Sequence, residues 1–171
     1  MINYIKGDLF SSKSSILCHA CNCYGSWGGG IAVIFRKKFP RSYKIYNEHC
    51  KKTKAAELLG TTLLIEPENG QRVACLFTSN LTGAKKLPPN EIVHYTDLAM
   101  KDLIRQLHLE NENGSGDKSL AEAGNGKESE TNNLNISMPK INAGLFAVPW
   151  DQTEEVLEKY ANETEITVYE I

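Results

Sequence analysis

The sequence predicts an α/β sandwich built on a mixed sheet, and three observations carry that prediction. Short apolar strand patterns alternate with amphipathic helical patterns along the chain. The run from Ser15 to Cys21 is almost unbroken apolar, with His19 inside it, which marks a strand covered on both faces. Two further strand candidates, Thr61 to Ile65 and Arg72 to Thr78, are joined by the turn Glu66-Pro67-Glu68-Asn69-Gly70. That pair reads as a hairpin, so the sheet is mixed rather than all-parallel.

Ile2 to Lys6 is a first short strand, ended by Gly7-Asp8. An Asp there is a turn or cap residue, or accepts a hydrogen bond from a ligand amine. The central strand ends at Asn22, and Gly28, Gly29 and Gly30 then free the backbone of side chains. Ile31, Ala32, Ile34, Phe35 and Phe39 follow at roughly helical spacing. A glycine loop running into a helix aims several N–H groups, and the positive end of a helix dipole, at one point that attracts phosphate. No Lys-Ser or Lys-Thr follows the glycines, so this is not a P-loop; they are consecutive, so it is not a dinucleotide fingerprint. A tight strand-to-helix turn with no ligand is the other reading of the same residues.

Pro40 breaks that helix, and a second one, from Arg41 or Ser42, puts Tyr43, Tyr46 and Cys50 on its inner face. Gly60 closes the segment before the hairpin. Ser79 to Pro89 is a polar loop whose Lys85 and Lys86 are either solvated or within reach of an anion. Asn90 is placed to cap a helix carried to about His108 by Ile92, Tyr95, Ala99, Leu103 and Leu107. From about 110 to 134 the chain is polar and acidic, with too little apolar surface to offset its ordering entropy; it reads as a disordered insertion within one domain spanning 1–171. Ile136 to Ile141 resumes as a strand, and Asn142-Ala143-Gly144-Leu145-Phe146-Ala147-Val148-Pro149-Trp150 is a second small-residue loop at a strand end. Asp151 is placed to cap the next helix, with Glu154 at the capping-box position and Val156, Leu157 and Tyr160 facing inward. Ile166 to Ile171 is apolar enough to lie well inside the sheet. Both small-residue loops therefore sit at strand ends, where open α/β sheets bind ligands.

A chain of 171 residues suits a single core. A formal net charge of −2 offers no basic field, which argues against a nucleic-acid partner. No apolar run is long enough to span a membrane, and the N-terminus enters a strand without a signal-peptide core. The five cysteines, Cys18, Cys21, Cys23, Cys50 and Cys75, are odd in number and mostly in apolar strand contexts, which argues for reduced thiols in the cytoplasm or nucleus. Cys18 and Cys21 have C-x-x-C spacing, but three residues apart on a strand they point to opposite faces. They read as buried thiols rather than metal ligands, and no cofactor is expected.

Four stretches in this order and spacing, Gly7-Asp8-Leu9, His19-Ala20-Cys21-Asn22, Gly28 to Ala32, and Asn142 to Pro149, resemble the macrodomain family. The similarity runs over nearly the whole chain and is least in the acidic insertion. Cys-Asn-Cys-x-Gly-Ser-Trp-Gly-Gly-Gly-Ile-Ala, Cys-Leu-Phe-Thr-Ser and Val-Pro-Trp resemble more closely one fungal branch, whose members hydrolyse ADP-ribose 1″-phosphate. The resemblance implies a three-layer α/β/α macrodomain with a mixed, roughly six-stranded sheet, and ADP-ribose lying across the strand ends. It implies that Asp8 binds the adenine amino group, with Gly7 and Leu9 at the same end. Backbone of Leu145, Phe146 and Ala147 would hold the pyrophosphate, in a loop begun by Ile141, Asn142, Ala143 and Gly144. Gly28, Gly29, Gly30, Ile31 and Ala32 would hold the distal ribose and its phosphate. Ala20 and Cys21 lead to Asn22, which would face the distal ribose, and Trp27 would wall that pocket.

The sequence also departs from the common family pattern. His19 stands where many members have an asparagine, Ala32 where some hydrolases carry an acid, and Ala147 where a glycine is usual. The Ala147 methyl demands negative φ more strongly than glycine does. The implied activity is hydrolysis of ADP-ribose 1″-phosphate, a by-product of tRNA splicing, to ADP-ribose and phosphate by a monomer. With no metal, cysteine-phosphatase loop or aspartyl-phosphatase signature evident, catalysis would rest on positioning and on backbone amides. Asn22 would orient a water or a ribose hydroxyl, unless it only caps the turn. His19 is the candidate acid or base, unless it is a core histidine. An ADP-ribosyl-protein hydrolase and a non-catalytic ADP-ribose reader would use the same loops.

Overall fold

The computed structural model describes residues 1–80, 87–122 and 135–171, with the backbone alone over 113–122. Six strands form one sheet: β1 (Asn3–Lys6), β2 (Ile16–Cys21), β3 (Thr62–Leu64), β4 (Arg72–Phe77), β5 (Asn135–Pro139) and β6 (Glu165–Glu170). Their order is β1-β6-β5-β2-β4-β3. Neighbours run parallel except β3, which is antiparallel to β4. The mixed sheet, the hairpin and the interior place of the last strand are therefore as the sequence predicts. In the hairpin Asn69 and Gly70 sit at φ 56° and 80°, and Glu68 and Gln71 exchange backbone hydrogen bonds. Two successive positive φ angles match the right-handed strand twist, which is why Asn-Gly stands there.

Alternation along the strands builds one core on each side of the sheet. On one face Ile16, Cys18, Ala74, Leu76, Ile136, Met138, Ile166 and Val168 pack with Ala99, Met100, Leu103, Ile104 and Leu107 of α4 (Pro89–Glu122). Val156 and Leu157 of α5 (Trp150–Glu158) complete that face. On the other face Leu17, Cys21, Val73, Cys75 and Phe77 meet Trp27, Phe35 of α1 (Ile31–Lys38) and Tyr46 of α2 (Pro40–Lys52). Leu58 of the short α3 (Ala55–Leu58) closes that side. Cys18 and Cys21 fall in different cores, as their spacing on a strand requires.

Several boundaries differ from the sequence reading. Helix α2 starts on Pro40 itself, whose fixed φ suits a first helical position. Helix α4 starts on Pro89 rather than after an Asn90 cap. It also runs past His108 to Glu122, so residues 110–122, assigned by sequence to the disordered insertion, are helical. A turn anchored by a packed apolar face propagates cheaply, one bond per added residue. The rest of that stretch, 123–134, lies outside the described residues, as do Lys85 and Lys86. Helix α5 starts at Trp150 with Pro149 before it, so Asp151 is in the first turn and not the cap. Glu154 makes no capping box; its carboxylate accepts a hydrogen bond from the Tyr4 hydroxyl of β1. Among the described residues no helix is long and apolar enough to cross a membrane.

Helix α2 has no capping side chain of its own. Its N-terminus is satisfied by Glu68 of the hairpin turn, which accepts from Arg41 N at 3.1 Å, Ser42 N at 2.8 Å and Ser42 Oγ at 2.8 Å. Burial alone would raise the Glu68 carboxyl, but the bonds from Ser42 and Arg41 outweigh it and hold it below its usual value. Replacing Glu68→Ala should cost about 1 kcal/mol in denaturant unfolding at neutral pH. A carboxyl depressed in the folded state stabilises above its unfolded pKa and stops doing so as pH falls through the folded one. The difference between wild type and variant should therefore shrink as pH drops below the ordinary glutamate range. A pH-independent difference would show that the charge is not what holds the helix end.

Candidate functional site

Strands β1, β6, β5 and β2 are neighbours and run in one direction, so their C-terminal ends share one rim. A cavity of about 850 Å³ opens along it. It is lined by Gly7, Asp8 and Leu9 after β1, by His19, Ala20, Cys21 and Asn22 at the end of β2, and by Trp27 to Ala32. Ile141, Asn142, Gly144, Leu145 and Phe146 line the side after β5. Of the residues singled out by sequence, Ala143 and Ala147 do not line it. Sequence reading missed Phe10, Ser26, Ile34, Pro139, Lys140 and the end of β6, Tyr169 to Ile171. The β6 end was findable in principle: an interior parallel strand must end on the same rim. Lys140 and Glu170 pair there at 2.8 Å.

Asp8 caps a single 3₁₀ turn, Leu9–Ser11, its Oδ1 accepting from Phe10 N at 3.0 Å. The cap role and a ligand role are compatible, because Oδ2 has no partner among the described residues.

The first loop is tied down by Asn22. Its Oδ1 accepts from Tyr24 N at 2.9 Å, Ser26 N at 3.4 Å and the Tyr46 hydroxyl at 3.0 Å, and its Nδ2 donates to Ser26 O at 2.8 Å. The turn-capping reading of Asn22 is thus met in full, leaving one amide hydrogen uncommitted. Tyr43 and Asn47 of α2 both donate to Gly25 O, fixing the loop from below. Gly30 precedes α1 at φ 59° and ψ −143°, a conformation that needs glycine, and gives the helix no side-chain cap. Val33 N donates to Gly30 O at 3.2 Å, while the Ile31 and Ala32 amides that open α1 have no intrahelical acceptor, the arrangement that makes a helix N-terminus attract an anion. A Cβ on Gly29 would come within 2.6 Å of Leu145 Cδ1, so the two loops touch across the cavity.

The second loop is held by its asparagine in a different way. Asn142, 4% exposed and at φ 67°, accepts from Thr78 Oγ1 at 2.8 Å and donates to Thr96 Oγ1 at 2.9 Å. Its Nδ2 also reaches Thr153 Oγ1 at 3.4 Å. This side chain is structural and contributes to the cavity wall without a free polar group. Ala147 sits at φ 59°, in the left-handed region the sequence reading did not expect of an alanine. Val148 explains it: 1% exposed, packed with Ile92 and Phe146, and donating its N–H to Asn142 O at 2.8 Å. The loop must turn back into the core there, whatever residue stands at 147.

The floor is aromatic. His19 is 1% exposed, stacked on Phe35 at 4.0 Å between centroids and edge-on to Trp27 at 4.7 Å. Its polar partner is the Cys21 thiol, 3.5 Å from Nε2. That is a core histidine by environment, and it meets the cavity only as part of its floor. Burial pushes the Cys21 thiol up, but the hydrogen bond from Cys75 and the His19 ring beside it outweigh that and hold it below its usual value. Trp27 and Phe146 both border the cavity and are both buried, so each is at once wall and core edge.

A model of the Macro domain family matches residues 18–157. A Debaryomyces hansenii protein named ADP-ribose 1″-phosphate phosphatase is 52% identical over 188 residues, spanning 99% of this chain and 98% of its own. Proteins of the same name from Candida albicans and Saccharomyces cerevisiae are 44% and 37% identical, each over at least 95% of both chains. Among solved structures, the macrodomain of Mycobacterium tuberculosis DarG superposes with a TM-score of 0.71 at 20% identity, covering 99% of this chain and 97% of that one.

If Ala147 is strained, relieving it should stabilise the protein. Ala147→Gly should raise the denaturant midpoint by up to about 1 kcal/mol of stability, the strain released less the entropy glycine adds to the unfolded chain. An unchanged or lowered midpoint would show that the methyl group packs favourably where it is.

Proposed function

The chain belongs to the Macro domain family, and we propose that it hydrolyses ADP-ribose 1″-phosphate to ADP-ribose and inorganic phosphate. The observation that carries this reading is the near end-to-end likeness to relatives that bear the name of that activity. The cavity supports it with two loops of exposed backbone at its sides and an acidic residue at one end. Asp8 Oδ2 takes the adenine amine. The backbone from Gly144 to Phe146 takes the pyrophosphate, and the loop Gly28–Gly30 with the first turn of α1 takes the distal ribose and its phosphate.

One water is consumed: its oxygen bonds to phosphorus, the bond from phosphorus to the 1″ oxygen breaks, and the ribose hydroxyl leaves with a proton. Phosphoryl transfer of this kind asks the protein mainly for alignment and for charge stabilisation. The α1 amides supply the second, aimed at the oxygens where charge is spread. Asn22 supplies the first twice over, by fixing the glycine loop and by offering its uncommitted amide hydrogen to water or ribose. His19, almost wholly buried in the floor, acts through position: with Trp27 it sets the height of the Gly28–Gly30 loop. The five free thiols support a reducing compartment, cytoplasm or nucleus, and the chain is taken to work alone, without nucleic acid or membrane.

Purified protein should release phosphate from ADP-ribose 1″-phosphate. Asn22→Ala should lower kcat by about a hundredfold or more, the usual cost of one transition-state donor, while calorimetry still detects ADP-ribose. No release by wild type, with ADP-ribose still bound, would favour a reader or an ADP-ribosyl-protein hydrolase. Full turnover by the variant would remove Asn22 from the chemistry.

A further inference from the structure

Beneath the cavity, three side chains with soft donor atoms converge from two strands. His19 and Cys21, two residues apart on β2, point to the same face. Cys75 on β4 is the register partner of His19 and shares that face. One ring nitrogen and the two sulfurs lie within 4.8 Å of one another, and all three residues are buried. We propose that His19, Cys21 and Cys75 form a binding site for a thiophilic divalent metal ion, of the Zn²⁺ class, that ties β2 to β4 under the cavity floor.

The spacing fits the ion. Zn–N and Zn–S bonds of about 2.05 and 2.3 Å at a tetrahedral angle put the two donors about 3.5 Å apart. His19 Nε2 and Cys21 Sγ are 3.5 Å apart. The charge also fits. A divalent ion with two thiolates and a neutral imidazole is a neutral set, which a dry apolar site tolerates; a monovalent ion would leave a net negative charge there. Thiolate and imidazole donors select Zn²⁺ over Mg²⁺ or Ca²⁺. The His19 ring has no polar partner other than Cys21 among the described residues, so nothing outside the set competes for its nitrogens. The Trp27 indole N–H, edge-on to His19, makes no hydrogen bond of standard geometry among the described residues, and the Cys21 sulfur is the acceptor nearest to hand, so it is a donor available to a charged sulfur. Three protein donors leave a fourth position, and the cavity that borders His19 and Cys21 is the source of a water for it.

The C-x-x-C pair that the sequence offers is not this site. Cys18 lies in the opposite core, and the set takes its third member from a strand 54 positions further on.

The test uses tag-free, fully reduced and metal-stripped protein titrated with Co²⁺. A sulfur-to-cobalt charge-transfer absorption should saturate at one equivalent and be displaced by Zn²⁺. Cys75→Ser and His19→Phe should each weaken binding at least tenfold, since even the loss of an outer-shell partner costs that much. Cys18→Ser should bind as wild type does. Circular dichroism establishes which variants are folded, and either of the first two suffices. Absence of the absorption in folded wild type overturns the site. So does an absorption that survives both substitutions, or one that is lost in Cys50→Ser instead.

Discussion

Strand β2 has no face in water, and that constraint governs the rest. Five of its six residues are buried, and it pairs with β4 on one side and β5 on the other. Every side chain on it must therefore commit to one of two cores, and alternation decides which. Ile16 and Cys18 go to the side of α4 and α5, Leu17 and Cys21 to the side of α1 and α2. A one-residue slip in register would exchange the two sets and bring the polar His19 into the α4 core. With the register fixed, the point where β2 ends is fixed too. Asn22 must then turn the chain out of the sheet between the two layers of helix, and the glycine loop starts from there.

Both cavity loops hang from an asparagine, but by different physics. Asn22 uses its side chain to replace backbone partners within the turn, so the loop holds its shape from inside. Asn142 uses its side chain to reach three threonines, one just past β4 and one each on α4 and α5, so the second loop is held from outside. The first arrangement leaves glycines free to present N–H groups. The second can sustain a left-handed alanine, because its anchors lie in the core and Val148 pulls the chain back at the far end. Leu145, resting on Gly29, joins the two.

Much of this was legible in the sequence. The apolar run of β2, the Asn-Gly hairpin and the glycine loop before α1 each rest on local rules that tertiary packing reinforced. The four motif stretches located the cavity. Helix ends were less legible, because caps are chosen from outside the segment: the acceptor for the α2 N-terminus is Glu68, two elements away, and the partner of Glu154 is Tyr4 on the first strand. The left-handed Ala147 was invisible for the same reason, since its φ is set by where Val148 must be buried. His19, Cys21 and Cys75 could not be grouped from spacing at all; only the register of β2 on β4 puts them side by side.

The charge balance explains why a site of this kind must be rigid. The chain carries a net charge of −2, so it offers an anionic ligand no long-range attraction. What remains is a set of backbone dipoles, each weak and effective only within about one turn of the helix end. Such donors work only if they already point at the ligand before it arrives, because reorienting them would consume most of what they contribute. A glycine loop is by itself the least preorganised backbone a chain can have. The aromatic floor, the two tyrosines and Asn47 of α2, and the threonine anchors of Asn142 supply the missing rigidity, and each does so from the layer below the cavity. Side chains packed behind the two loops, from both faces of the sheet, are thus what hold the backbone lining the cavity in one shape.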